Sequence, residues 1–324
     1  MAADTSEITI IVPGPLHPHA GERVDGSFGM ARIESSDPAL IDADLASRVR
    51  GAAVMTGVNA AFVDALPNLE IVASFGVGYD NVDARYCAER GIVVTNTPDV
   101  LTEEVADTAL GLLINTVREL SRAEEWLRAG RWASEGSYRL TPATLRGRHA
   151  GIFGMGRIGQ AIARRLEAMG LKVSYHNRRR VDGVSYDYYP TLKELAAEVD
   201  TLISAAPGGA STNKAVDACI LEALGPDGVF INVGRGSTVD EPALIDALRK
   251  GTIRAAGLDV FADEPHVPEA LIALPNACLL PHVGSGTVHT RRAMADLVVD
   301  NLLSWFTRGE ALTPVPETRD IRRR

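Results

Sequence analysis

Arg235, Glu264 and His282 are the residues whose types could do chemistry together. Arg235 stands between two glycines in VFINVGRGSTVDEPAL, Glu264 lies in GLDVFADEP after Asp259, and His282 precedes Val-Gly-Ser-Gly in LLPHVGSGT. Each follows a short apolar run that reads as a buried strand, and in open α/β sheets ligands sit outside the carboxyl ends of the strands. A histidine there can give or take a proton near neutral pH. A neighbouring carboxylate holds the imidazole and favours its protonated form. An arginine grips a carboxylate with two parallel bonds and polarises an adjacent carbonyl. The set suits hydride delivery to a 2-keto acid, which creates an alkoxide in need of a proton. Singly, the arginine reads as a surface ion-pair member and the histidine as a satisfied polar residue. On successive strand ends behind a nucleotide-binding fingerprint, they read as one site.

That fingerprint is Gly154-x-Gly156-x-x-Gly159, in GIFGMGRIGQAIARRLEAMG. It follows an apolar strand and opens an amphipathic helix, and a second strand ends near Asn177, about 20 residues on. Gly154 permits the tight turn, Gly156 admits the pyrophosphate to the backbone, and Gly159 lets helix pack on strand. The helix N-terminus offers unpaired N–H groups to phosphates.

The second strand ends in KVSYHNRRR, residues 172–180, where such folds usually carry an acid. A carboxylate would bond the ribose 2′-hydroxyl of NAD and repel a 2′-phosphate. Asn177 removes that charge, and Arg178 and Arg179 supply donors for a phosphate, while Arg180 reads as a solvated surface residue. A charge-assisted bond is worth roughly 1.5–3 kcal/mol, so one lasting contact shifts preference about tenfold or more. NADPH is therefore the expected cofactor, with NADH weaker.

The elements that must position these groups alternate short β-branched runs with amphipathic stretches, the pattern of α/β domains with parallel sheets. ITIIV, AAVMTG, LEIVASF and GIVVTNTP read as strands of a first block. Between them NVDARYCAER reads as a helix that Asp80 or Asn81 can cap. DVLTEEVADTALGLLINTVRELSRAEEWLRAG reads as one long helix with Glu103 and Glu104 favourable in its first turn. HAGIFG, KVSYHN, TLISAAP, VFINVG, AAGLDVF and ACLLPHVG are strands of a second block. The final helix, TVHTRRAMADLVVDNLLSWFTRG, returns the chain to the first. The layout is one domain formed by residues 1–99 and 288–324, with another, 100–287, inserted.

A chain of 324 residues exceeds what one compact core usually holds. The net charge of -9 argues against a nucleic-acid partner. Cys87, Cys219 and Cys278 lie far apart, giving no metal framework and suiting a reducing, cytoplasmic setting. The polar lead MAADTSE and the short apolar run Ile8 to Val12 read as the approach to a strand, not a signal segment. No run approaches the roughly 18 apolar residues of a membrane span.

The motifs GMGRIG, INVGRGSTVDEPAL, GLDVFADEP and LLPHVGSGT, with SFGVGYDNVDARYCAERGIVVTNTPDVLTEEVADTALGLLI, resemble the D-isomer-specific 2-hydroxyacid dehydrogenase family from about Leu69 to Trp305. The resemblance implies a Rossmann cofactor domain inserted into a flavodoxin-like substrate domain, and a homodimer with its dimerisation helix and loop in the inserted part. It also implies that Arg235 binds substrate, Glu264 tunes the histidine and His282 is the acid/base. By the same resemblance Val77 and Gly78 offer backbone N–H groups to the substrate carboxylate, as a glycine-rich loop can. Asp259 and Ser285 then lie at the nicotinamide end. Thr108, Arg157, Ile158, Ala206, Pro207, Thr212, Val233 and Gly234 line the cofactor. Trp132 falls on a segment that in some relatives enters the partner subunit's site, or else anchors the dimer interface. The Asn177-Arg178-Arg179 run departs from the family's usual acid and resembles the NADPH-using glyoxylate and hydroxypyruvate reductases.

The reading is NADPH-dependent reduction of small 2-keto acids to D-2-hydroxy acids, with glyoxylate and hydroxypyruvate foremost and 2-ketogluconate and arylpyruvates open. A binding protein that senses the dinucleotide without turnover is the rival from another class. Formate enzymes of this fold pair the histidine with glutamine, so Glu264 speaks for keto-acid reduction.

Overall fold

The structure, a computed structural model, describes residues 5–323; the lead Met1–Asp4 and Arg324 lie outside them. The chain forms two compact units, one of Met1–Leu101 with Thr287–Arg324 and one of Thr102–Gly286.

The first unit carries strands β1 (Thr9–Pro13), β2 (Gly29–Ile33), β3 (Val49–Val54), β4 (Ile71–Ser74) and β5 (Val93–Thr95). They pair in parallel in the order β2-β1-β3-β4-β5, doubly wound with the reversal between β1 and β3. The near-continuous burial of β1, β3 and β4 is what helices on both faces of a parallel sheet produce. Ile11, Val54, Phe62, Val72 and Val94 belong to one of its cores.

The chain's end joins this unit through the helix Val288–Arg308, capped where Thr287 accepts from the Thr290 amide and stopped by Gly309 at φ 79°. Glu70 ties the return: one carboxylate oxygen takes Arg50, the other the Trp305 indole at 3.1 Å and Arg323 at 2.8 Å. Thr318 closes it, bonding both the N–H and the C=O of Val94.

The second unit carries β6 (His149–Phe153), β7 (Lys172–His176), β8 (Asp187–Tyr189), β9 (Thr201–Ser204), β10 (Val229–Asn232), β11 (Ala255–Leu258) and β12 (Ala277–Leu279). Their order, β12-β11-β10-β9-β6-β7-β8, is parallel throughout and reverses between β6 and β9, the dinucleotide-binding arrangement. The helix Thr102–Arg118 packs here, with Glu103 and Asp107 each 2.7 Å from Arg165.

Two readings need correction. The long segment is not one helix: Thr102–Arg118 ends, Glu119 turns left-handed at φ 53°, and Leu120–Arg128 follows. The break comes from Asn115, whose side chain bonds both the amide and the hydroxyl of Ser121, a competition invisible to apolar spacing. The cap of the helix Ala84–Glu89 is neither Asp80 nor Asn81 but Asp83, which accepts from the Tyr86 amide at 3.1 Å. Strands β2 and β8 had no reading at all; both lie at sheet edges, half-buried or more exposed, where the apolar signal is weakest.

Asp83→Ala should lower stability by about 1 kcal/mol, the usual worth of an N-cap, and Asn81→Ala by much less. The urea unfolding midpoints of the two variants measure the difference.

Candidate active site

All three chemical side chains stand beyond carboxyl ends of the seven-stranded sheet. Arg235 follows β10, and its backbone is fixed by two fully buried polar residues. Asn232 donates from its amide to the Arg235 carbonyl at 3.0 Å and accepts from the Gly234 N–H at 3.0 Å, while the Thr238 hydroxyl donates to the same carbonyl at 2.7 Å. Gly236 is obligatory beside it, since a Cβ there would meet the Phe261 carbonyl at 1.9 Å. The guanidinium is half-buried and bonds the Gly234 carbonyl at 3.0 Å.

Glu264 lies in the loop after β11. One carboxylate oxygen accepts from the Phe261 amide at 3.0 Å, and the other meets Nδ1 of His282 at 2.6 Å. Burial pushes its pKa up, but the His282 contact, the Phe261 amide and the field of Arg235 outweigh that and hold it below the ordinary carboxylate range. The Arg235 contribution places all three groups within one electrostatic neighbourhood. On acidification Glu264 therefore keeps its charge to lower pH than an ordinary glutamate does.

His282 sits after β12 with φ 51°, a left-handed conformation costly for a residue with a Cβ. Asp259, at the end of β11 and 2% exposed, holds it there. Its carbonyl accepts from the His282 N–H at 2.9 Å, and its carboxylate oxygens accept from Val283 N–H at 2.7 Å and Gly284 N–H at 2.8 Å. Burial raises the Asp259 pKa, against the pull of those two amides. From the other side Thr108 donates to the Gly284 carbonyl at 3.2 Å. With Nδ1 engaged, Nε2 is the nitrogen left to carry a proton to a reacting oxygen.

The residues fit a dinucleotide. The helix Arg157–Ala168 starts at Gly156 with no side-chain cap, and a Cβ on Gly156 would meet nothing within 4 Å, so backbone donors face open space. Gly154, with φ 100°, would place a Cβ 2.7 Å from Ala206 N, and Gly159 one 2.2 Å from the Gly154 carbonyl. Both must be glycine for the turn and the helix to close. Ile158 stands half-buried in the first turn, beside the exposed Arg157. Ala206, Val233, Thr212 and Ser285 are buried and Pro207 is exposed, with Thr212 donating to the Pro207 carbonyl at 2.7 Å. Asn177 accepts from the Met155 amide at 3.1 Å, bracing the glycine loop. Arg178 and Arg179 are exposed and make no ion pair among the described residues.

A model of the D-isomer specific 2-hydroxyacid dehydrogenase NAD binding domain matches residues 110–284, more than half of the chain. The chain belongs to that family. It is 60% identical to an NADPH-dependent glyoxylate/hydroxypyruvate reductase from Sinorhizobium meliloti, solved in complex with NADP and malonate, with a TM-score of 0.96 over 98% of this chain and 99% of that one. Glyoxylate/hydroxypyruvate reductase A of Arabidopsis thaliana is 51% identical over 80% of this chain and 82% of its own. Hydroxyphenylpyruvate reductase of Plectranthus scutellarioides is 49% identical over the same shares.

In the first unit of this dehydrogenase, Val77 and Gly78 follow β4. The loop is pinned where Asn96 donates to the Val77 carbonyl at 2.7 Å and Thr97 accepts from the Gly76 N–H at 3.1 Å. Among the described residues neither the Val77 nor the Gly78 amide has a protein acceptor. Asn232, Thr238 and the buried Glu241, which accepts from the Ala262 amide at 3.3 Å, escaped the sequence reading. An asparagine inside the apolar run VFIN was the available signal, because a buried amide is kept only where its bonds are met.

His282→Ala should lower kcat at least about a hundredfold while leaving cofactor binding, read by fluorescence titration, in place. Glu264→Gln should lower reductive kcat/KM about tenfold or more with cofactor binding kept, because Nδ1 of His282 loses the carboxylate that fixes the ring. An unchanged kcat/KM would remove Glu264 from that role.

Proposed function

We propose that the enzyme reduces small 2-keto acids, glyoxylate and hydroxypyruvate foremost, to D-2-hydroxy acids with NADPH. The carrying observation is the 2.6 Å contact between Glu264 and His282 Nδ1. It fixes the ring and leaves Nε2 to deliver a proton to the reacting oxygen. The nicotinamide, when bound, supplies the hydride. Arg235 holds the substrate carboxylate and polarises the keto group, and in the first unit the Val77 and Gly78 amides are donors open to a carboxylate. The other assigned residues hold the dinucleotide: Gly156, Arg157 and Ile158 its pyrophosphate, Thr108, Asp259 and Ser285 its nicotinamide end.

NADPH is favoured because Asn177 puts no charge beside the ribose and Arg178 and Arg179 stand open to a 2′-phosphate. The Sinorhizobium reductase, which is NADPH-dependent, agrees with that choice. The Plectranthus relative keeps arylpyruvates in the substrate range.

A homodimer fits the helices Leu120–Arg128 and Arg131–Glu135, which leave Leu127 53%, Trp132 59% and nearby Leu140 94% exposed. Trp126 stiffens this arm, with the Arg131 guanidinium 3.7 Å from its ring centroid. Three free cysteines suit work in the cytoplasm.

A panel of keto acids run with both nicotinamides tests the reading. NADPH should give the higher kcat/KM, and the double variant Arg178→Ser, Arg179→Ser should cut the NADPH-to-NADH ratio about tenfold or more. A clear NADH preference in the unaltered enzyme would overturn the cofactor assignment.

A further inference from the structure

The loop of residues 14–17 leaves β1 on the edge of the five-stranded sheet from which residues 75–78 leave β4, and the strand order reverses beside β1. Such a reversal opens the crevice where doubly wound sheets take ligands. On this edge the His17 and Phe75 rings stack, with centroids 5.8 Å apart and planes 10° apart. The Arg291 guanidinium lies 5.9 Å from the Phe75 centroid. Phe75 is two residues from Val77, a reach of at most about 7 Å.

Nothing structural requires an imidazole at position 17. His17 begins the helix Pro18–Asp25 but makes no capping bond. Its Nδ1 is sealed from solvent with no partner, a costly state for a polar atom. A phenylalanine would stack as well. Burial, with His19 and Arg291 nearby, pushes the His17 pKa down, which favours the neutral ring. A sealed Nδ1 without an acceptor is best left as a bare lone pair, which puts the hydrogen on Nε2. That nitrogen makes no hydrogen bond among the described residues, and it is not sealed.

We propose that His17 is a specificity residue, whose Nε2–H reads the hydroxyl at C3 of a 2-keto acid held by the Val77 and Gly78 amides. The assignment rests on the keto-acid reading above and deepens it. A neutral hydroxyl suits the site better than a second carboxylate. The neutral ring is the favoured form, and two of the basic side chains nearby are engaged by carboxylates, Arg23 at 2.9 Å from Asp296 and 2.8 Å from Asp300 and His19 at 2.7 Å from Asp296, while Arg291 lies over the Phe75 ring.

The test compares hydroxypyruvate, pyruvate, glyoxylate and oxaloacetate in the full enzyme with NADPH, for the unaltered protein, His17→Phe and His17→Gln. His17→Phe keeps the stack and loses the donor; His17→Gln restores a donor. The hydroxypyruvate-to-pyruvate ratio of kcat/KM should fall about tenfold in His17→Phe, mostly through KM, and recover in part in His17→Gln. A ratio unchanged within about twofold, or equal losses on all four acids, would overturn the assignment. So would a loss confined to oxaloacetate, which would make the site a reader of a second carboxylate. An unaltered enzyme inert to all four acids would instead remove the underlying reading, an outcome visible before any variant is compared.

Discussion

An imidazole can deliver a proton from Nε2 in a fixed direction only while Nδ1 is held, and here Glu264 holds it at 2.6 Å. Much of the second unit's local structure serves that contact. His282 occupies a left-handed conformation that costs about 1–2 kcal/mol for a residue with a Cβ. Asp259 offsets the cost with three acceptors on three consecutive amides, those of His282, Val283 and Gly284. Glu264 is held in turn by the Phe261 amide, and the loop between them by Glu241. Two buried carboxylates thus position one working pair without touching the imidazole. Each sits where backbone donors meet its charge, the condition under which burying a carboxylate is tolerable.

Close backbone packing supplies the floor. The loops after β6, β9 and β10 meet where Gly154 and Gly234 press on Ala206, at distances a Cβ would turn into 2.7 and 2.5 Å clashes. Side chains are excluded there because the main chains of these three loops lie directly against one another, beside the reversal between β6 and β9. The backbone carries the fixed geometry, and the side chains of the candidate site are mounted on the turns leaving it.

How much of this could be read from the residues follows from how local each cause is. Buried parallel strands announce themselves as apolar runs, so β6, β9 and β10 and the order of blocks were legible. The edge strands β2 and β8 were not, since an exposed or half-buried edge lacks that signature. The break at Glu119 hid because Asn115 and Ser121 act across six residues, outside any helical repeat. At the site, residue types on strand ends pointed to Arg235, Glu264 and His282, and the structure brings Glu264 onto His282 with Arg235 in electrostatic reach. The supports Thr238 and Glu241 were illegible, since they satisfy backbone groups whose positions only the fold defines, and Asn232 left one trace, an amide inside the apolar run VFIN. Asp259 was anticipated at the nicotinamide end, yet its visible work in the protein is to hold the His282 loop.

The end of β7 separates structural from electrostatic selection. Asn177 accepts a bond from the Met155 amide through its side-chain oxygen, and an aspartate would present an oxygen at the same place. Bracing the glycine loop therefore gives no reason to prefer the amide. What differs is charge: an aspartate would repel a 2′-phosphate, and the asparagine does not. Arg178 and Arg179 follow, solvent-exposed and with no protein carboxylate to neutralise them among the described residues. Exposed cations hold anions weakly in salt, so the discrimination is modest for each residue. The proposed preference for NADPH therefore needs the absence of the acid and the presence of the arginines together, a run of three residues and no single one.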